Sequence, residues 1–179
     1  VRALVVYESM FGNTRDIALA VADGIATRMA VETVEVGAAP GVIPPDVALL
    51  VVGAPTHVHG MTTPKSRADA AERAGDRLVS RGIGLGEWLD ALAPMSAPFP
   101  AAAFDTRIKG PGLIWGSAAK IAAKRLRELG FRLVDGPESF LVGGPTGPLF
   151  DRLVEGELDR ARAWGARLTN AVPTPSPAR

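Results

Sequence analysis

Residues 3–14 read ALVVYESMFGNT, an apolar run that gives way to hydroxyls, a Gly and an Asn just before a helical periodicity begins. A continuously apolar run of this length suits a strand covered on both faces. Ile17, Val21, Ile25 and Met29 then recur every four residues, the spacing of one buried helix face, and Gly24 on a neighbouring face allows close approach to a sheet. The stretch reads as strand, polar turn, helix.

The alternation of apolar run and helical periodicity continues down the chain, the mark of an α/β fold with a parallel sheet. Val47–Gly53 (VALLVVG) is again continuously apolar, whereas Val31–Val36 (VETVEV) alternates apolar with polar, as a half-covered edge strand does. Ala101–Asp105 (AAAFD) and Ser139–Gly143 (SFLVG) bring the expected strands to five. Leu85, Trp88, Leu89 and Leu92 stand at helical spacing, which marks Trp88 as a core residue rather than a ligand platform. Ser117 is placed to cap a helix carrying Ile121, Ala122, Leu126 and Leu129, with Gly130 to end it. A last helix is expected over residues 151–170, with Val154, Leu158, Ala161 and Leu168 on one side. Strands alternating with helices, the second strand at an edge, predict a doubly wound five-stranded parallel sheet of order 2-1-3-4-5 with helices on both faces. Ligands of such sheets bind beyond the carboxyl ends of the strands, at the switch point between the first and the third. The loops after Tyr7, Gly53 and Asp105 are therefore the places for chemistry.

The 179 residues suffice for one substantial core, and residues 1–170 are expected to form one domain followed by a mobile Pro-rich tail over 171–179. With 47% apolar and 22% charged residues the composition is that of a globular chain, not a disordered one. There is no Cys, which excludes disulfides, thiolate catalysis and Cys-based metal or iron–sulfur sites. Twenty Lys plus Arg against 19 Asp plus Glu create no global field to select nucleic acid or an acidic membrane. The apolar runs are strand-length and no signal-peptide layout stands at the start, so the expectation is a soluble cytoplasmic protein with no membrane span.

In the first loop Ser9 and Thr14 bring hydroxyls, and Gly12 lets the backbone turn its N–H groups inward at a helix N-terminus. Unpaired amides and the positive end of the helix dipole favour an anion without any basic side chain. The loop has neither the G-K-[ST] ending of a Walker-type loop nor the G-x-G-x-x-G of a dinucleotide turn. Read alone, it fits a phosphate site and an ordinary strand-to-helix turn capped by Asn13 or Thr14 equally well.

So placed, the loop resembles that of the flavodoxin-like family, whose phosphate loop reads T/S-x-T/S-G-x-T directly after the first strand. Ser9, Met10, Phe11, Gly12, Asn13 and Thr14 occupy that motif, with Phe11 where the family usually carries a second hydroxyl. The resemblance implies that these six residues hold the phosphate of FMN. It also implies that the loop Gly53–Gly60 (GAPTHVHG) flanks the isoalloxazine ring, with Pro55, Thr56, His57, Val58 and His59 as candidates and Gly60 supplying an unusual backbone angle. The loop from Phe104 to Ser117 would close over the other face of the ring. There Asp105, Thr106 and Arg107 are placed for the polar edge of the flavin, and Lys109, Gly110, Pro111 and Gly112 for a mobile turn. Trp115 either faces the ring or packs beneath the loop. His57 and His59 would fall on one side if the loop were extended, which raises a metal alternative. With no Cys in the chain and no carboxylate in that loop they read as solvated loop residues or flavin neighbours, and no metal site is expected.

With FMN bound, the flavin carries the redox chemistry while the protein supplies orientation and electrostatics. Electron carriers of the family are usually strongly acidic. This chain is nearly neutral and has no Tyr after Tyr7 to stack on the ring. A cationic Arg107 or a protonated His57 near the ring would stabilise a reduced, anionic flavin and raise its potential, which favours a quinone- or porphyrinogen-type oxidoreductase. The expectation is an FMN-binding redox protein, either transferring electrons to a redox partner protein or small-molecule acceptor, or acting as a small oxidoreductase. The alternative is a flavodoxin-like binding or regulatory domain that has lost flavin, for which Phe11 and the missing Tyr speak.

Overall fold

A computed structural model describes residues 1–57, 60–108, 116–144 and 152–172. Strands β1 (Arg2–Tyr7), β2 (Ala30–Glu35), β3 (Val47–Pro55) and β4 (Phe99–Ile108) lie parallel in the order β2-β1-β3-β4. The fifth position is shared by two short strands. β5 (Phe131–Leu133) pairs with Phe99–Ala101 of β4, and β6 (Glu138–Val142) pairs with Phe104–Ile108, both parallel. The order is thus 2-1-3-4-5 with the last strand broken in two. Between the halves, Gly136 donates its N–H to the Asp135 carboxylate at 2.8 Å, and Pro137 has no N–H to offer a ladder. Only the second half was expected, because the three residues of β5 are too few to show a period.

Helices α1 (Asn13–Ala26), α2 (Pro64–Ala74), α3 (Leu85–Ala91), α4 (Ala118–Glu128) and α5 (Glu157–Leu168) cover both faces. Successive strand residues point to opposite sides. Leu4, Val6, Leu50, Val52, Ala101 and Ala103 therefore meet Leu85, Trp88, Leu89, Ala122 and Leu126 on one face. Ala3, Val5, Leu49, Val51, Ala102 and Phe104 meet Ile17, Val21, Ile25, Trp164 and Leu168 on the other. Trp88 is a core residue as expected, its indole N–H donating to the Pro40 carbonyl at 3.1 Å. Ser117 caps α4 by accepting the Lys120 N–H, and Gly130 follows that helix with φ 88°.

Three expectations are corrected. Helix α2 lies where no helix was foreseen. Its start is well marked, with Pro64 behind a Thr63/Ser66 capping box, but only Ala70 and Ala74 of it are buried, so no large apolar stripe announces it. Helix α5 begins only after Gly156, and its buried face centres on Trp164 while Leu158 is exposed. Val154 instead donates its N–H to Leu141, at the edge of β6. Gly24 does approach another element closely, but that element is α5 and not the sheet. A Cβ on Gly24 would stand 2.0 Å from the Arg162 carbonyl oxygen, and one on Gly165 of α5 would stand 2.2 Å from that of Val21.

Candidate functional site

Because β1 pairs with β2 on one side and β3 on the other, the chain leaving β1 enters the switch point of the sheet. An open cleft of about 130 Å³ lies there. Ser9, Met10, Phe11, Asn13 and Thr14 line it from the first loop, and Pro55, Thr56 and His57 from the end of β3. Thr106, Arg107 and Ile108 line it from β4, and Val142 from β6.

The first loop is built to turn sharply. Glu8 donates its N–H to Gly53 at 2.9 Å, the last tie to the sheet, and Gly12 takes φ 99°, a conformation open to glycine. The Ser9 hydroxyl accepts the Gly12 N–H at 3.1 Å. The N-cap of α1 is Gly12, so neither Asn13 nor Thr14 holds the capping position of the ordinary-turn reading. Thr14 is buried and reaches across the cleft floor instead, its Oγ1 lying 2.7 Å from that of Thr106. Two hydroxyls share one hydrogen in such a bond, so one hydroxyl hydrogen of the pair remains to donate to a ligand.

The second loop is fixed by Thr56. Its N–H donates to the Thr106 carbonyl (2.8 Å), its hydroxyl donates to Asp105 Oδ2 (3.0 Å), and the same oxygen accepts the Ala118 N–H at 2.9 Å. Asp105 is wholly buried and does not line the cleft. Its Oδ2 also accepts from the Ser117 hydroxyl at 2.6 Å and the Ala119 N–H at 3.0 Å, so this carboxylate joins β4, Thr56 and the start of α4. His57 and Gly60 exchange two backbone hydrogen bonds, at 2.9 and 3.0 Å. Gly60 has no left-handed φ. A Cβ there would meet Ile121 Cδ1 at 2.6 Å, so closeness is what suits glycine at this position.

The electrostatics separate the two cationic candidates. Burial, then the charges of Arg73 and Arg67, push His57 below the usual histidine range, so His57 faces the cleft neutral near pH 7. The protonated His57 of the sequence reading is therefore corrected. Arg107 lines the cleft, and its Nε is buried with no hydrogen-bond partner among the described residues. An orphaned buried donor is costly unless a ligand atom meets it. Arg15, which was not singled out from sequence, folds its Nη2 to 3.4 Å from where a Cβ of Gly12 would stand, while pairing with Asp16 at 3.1 Å.

Val58, His59, Lys109, Gly110, Pro111, Gly112 and Trp115 lie outside the described residues, as does the tail from residue 173. Sequence reasoning missed Ile108 and Val142 of the lining. It also missed Ser80, whose hydroxyl accepts the Ser9 N–H at 2.9 Å. Ile108 and Val142 carry no chemical signature, and Ser80 stands 71 positions from its partner. Among the described residues no helix is long and apolar enough to cross a membrane.

The fold that emerges is flavodoxin-like. A flavodoxin from the domain Archaea superposes with a TM-score of 0.62 at 22% identity, covering 95% of this chain and 97% of its own. Flavodoxin 2 from Bacillus cereus does so with a TM-score of 0.60 at 17% identity, covering 95% and 99%. The flavodiiron protein from Giardia intestinalis matches at 19% identity with a TM-score of 0.58. There the match takes in 95% of this chain but only 36% of the larger protein. No family model and no curated protein matches the chain.

Proposed function

We propose that this chain is an FMN-binding, flavodoxin-like redox protein that works in electron transfer or as a small oxidoreductase. The observation that carries the reading is the cleft at the switch point, where a loop turned by Gly12, the start of α1 and Arg107, whose buried Nε has no hydrogen-bond partner among the described residues, come together. Backbone amides at a helix N-terminus and the spare hydroxyl hydrogen of the Thr14–Thr106 pair suit a phosphate. The phosphate would be held by Ser9, Met10, Phe11, Gly12, Asn13 and Thr14. Pro55, Thr56 and His57 would flank the ring, while Thr106 and Arg107 would meet its polar edge. Asp105 would act from behind by holding Thr56 and α4 in place.

When bound, FMN supplies the redox chemistry and the chain supplies position and field. A permanently charged Arg107 at the cleft favours negative charge arriving on the ring, and a neutral His57 can offer or accept a hydrogen bond without adding charge. This supports a quinone- or porphyrinogen-type oxidoreductase, or an electron acceptor of higher potential, working with a redox partner protein or a small molecule. The competing reading, a binding domain that has lost flavin, is favoured by Phe11, which lines the cleft where the family's loop has a hydroxyl.

Purification decides between them. The protein is expected to be yellow with flavin absorbance, or to quench the fluorescence of added FMN. A colourless protein that leaves micromolar FMN unquenched overturns the proposal.

A further inference from the structure

The first loop is held by more than its own strand and helix. Segment 78–85, between α2 and α3, runs beside it. Val79 donates its N–H to the Met10 carbonyl (3.2 Å), Ser80 donates its N–H to that of Ser9 (2.8 Å), and the Ser80 hydroxyl accepts the Ser9 N–H (2.9 Å). Glu8 precedes this ladder and has 0% of its surface exposed. Its Oε2 accepts the Leu85 N–H at the start of α3 (2.8 Å), and its Oε1 accepts the Thr62 hydroxyl at 2.5 Å. Thr62 Oγ1 in turn accepts Arg67 Nη1 at 3.2 Å, and Arg67 Nη2 pairs at 2.6 Å with Glu87 of α3. Glu87 closes the circuit by accepting the Gly84 N–H at 2.6 Å.

A buried carboxylate with no direct cation is an expensive choice where an apolar side chain would pack. Arg67 reaches Glu8 only through the Thr62 hydroxyl, and Glu87 shares that arginine. What the carboxylate uniquely does is accept two donors from two different segments, one from Thr62, just ahead of the N-cap of α2, and one from the first residue of α3. Both ends of the 62–85 segment are thereby tied to the residue that opens the anion-binding loop.

We propose that Glu8 is a positioning residue for that loop: through Thr62 and Leu85 it clamps the 78–85 segment, which fixes Ser9 and Met10 in the shape that receives a phosphate. The consequence for ligand binding rests on the FMN reading, whereas the clamp does not. Neither Glu8 nor Thr62 lines the cleft, so changing them removes no ligand contact.

Three variants of the full chain test it. Glu8→Gln removes the charge and one acceptor, Thr62→Val removes the hydroxyl relay at constant volume, and Thr62→Ser keeps the hydroxyl. Amide hydrogen exchange reads the clamp without any ligand. Ser9, Val79 and Ser80 are expected to exchange about tenfold faster in Glu8→Gln and Thr62→Val, the effect of one lost hydrogen bond, with the interior of β3 unchanged and Thr62→Ser close to wild type. Unchanged exchange at these amides, or equal acceleration across the sheet, overturns the clamp. Affinities for FMN and for riboflavin, which lacks the phosphate, read its function. A selective loss of about tenfold for FMN is expected, and equal losses for both flavins would show that Glu8 acts only on stability. Wild-type protein that binds neither flavin would overturn the FMN reading and leave the exchange measurement to decide the clamp.

Discussion

Thr14 and Thr106 stand 92 positions apart in the chain, and their hydroxyls meet at 2.7 Å. Changing Thr14 to Val is expected to weaken FMN binding by about 1–3 kcal/mol, the usual effect of leaving a buried polar group unpaired, with riboflavin affinity little changed. Equal FMN affinity in the variant would place the phosphate elsewhere. Arg107→Gln is expected to lower the midpoint potential of bound FMN, because it removes the positive charge that favours electrons on the ring. A redox titration showing no shift, or an upward one, would take Arg107 out of the electrostatics. Glu8 adds a pH dependence with a definite sign. Burial raises its pKa above 4.5 in the folded chain, against the lowering effects of Thr62, Leu85 and Arg67. The folded state therefore holds more protons than the unfolded one between 4.5 and the raised value, and stability falls as pH rises through that window. Denaturation at several pH values is expected to show a flatter profile for Glu8→Gln in that window than for wild type. The turn at Gly12 into a helix was legible because a loop motif is local. The lowered pKa of His57 was not, since it depends first on burial and then on the charges of Arg73 and Arg67 in α2.

Helices α1 and α5 pack through two glycines placed reciprocally, Gly24 against the Arg162 carbonyl and Gly165 against that of Val21. In an isolated helix Gly→Ala is worth roughly 1 kcal/mol of stabilisation. Here a Cβ 2.0 Å from a backbone oxygen has no flexible side chain to push aside, so packing wins. Gly24→Ala is expected to destabilise by roughly 1–3 kcal/mol in urea denaturation, and Gly24→Ala with Gly165→Ala by less than the sum, because one widening of the helix pair relieves both overlaps. A neutral or stabilising Gly24→Ala would show that the helices stand further apart. The glycine itself was visible in the sequence as a point of close approach. Its partner was not, because helical periodicity says which face is buried and nothing about what covers it. Helix α2 was missed for a related reason: its anchor is the polar link from Arg67 to Thr62 and Glu87, which hydrophobic period does not register.

For the whole molecule, a ligand that binds only the folded state stabilises it by mass action. FMN at about a hundredfold its Kd contributes about 2.7 kcal/mol, which in a chain of this size raises Tm by about 5–10 °C. A melting temperature indifferent to FMN would agree with a domain that has lost its flavin. The doubly wound sheet and the position of its switch point were determined by the sequence alone, through continuous apolar runs at β1 and β3, an alternating β2 and helical periods between them. These are short-range patterns, and each reports burial of its own element. Tertiary structure alone decided what meets in and behind the cleft: Thr106 against Thr14, Ser80 against Ser9, Glu8 between Thr62 and Leu85, and Arg107 with a buried donor that has no partner among the described residues. Side-chain hydrogen bonds between distant segments leave no period in a sequence, so only the packed sheet and its crossing loops bring them into being.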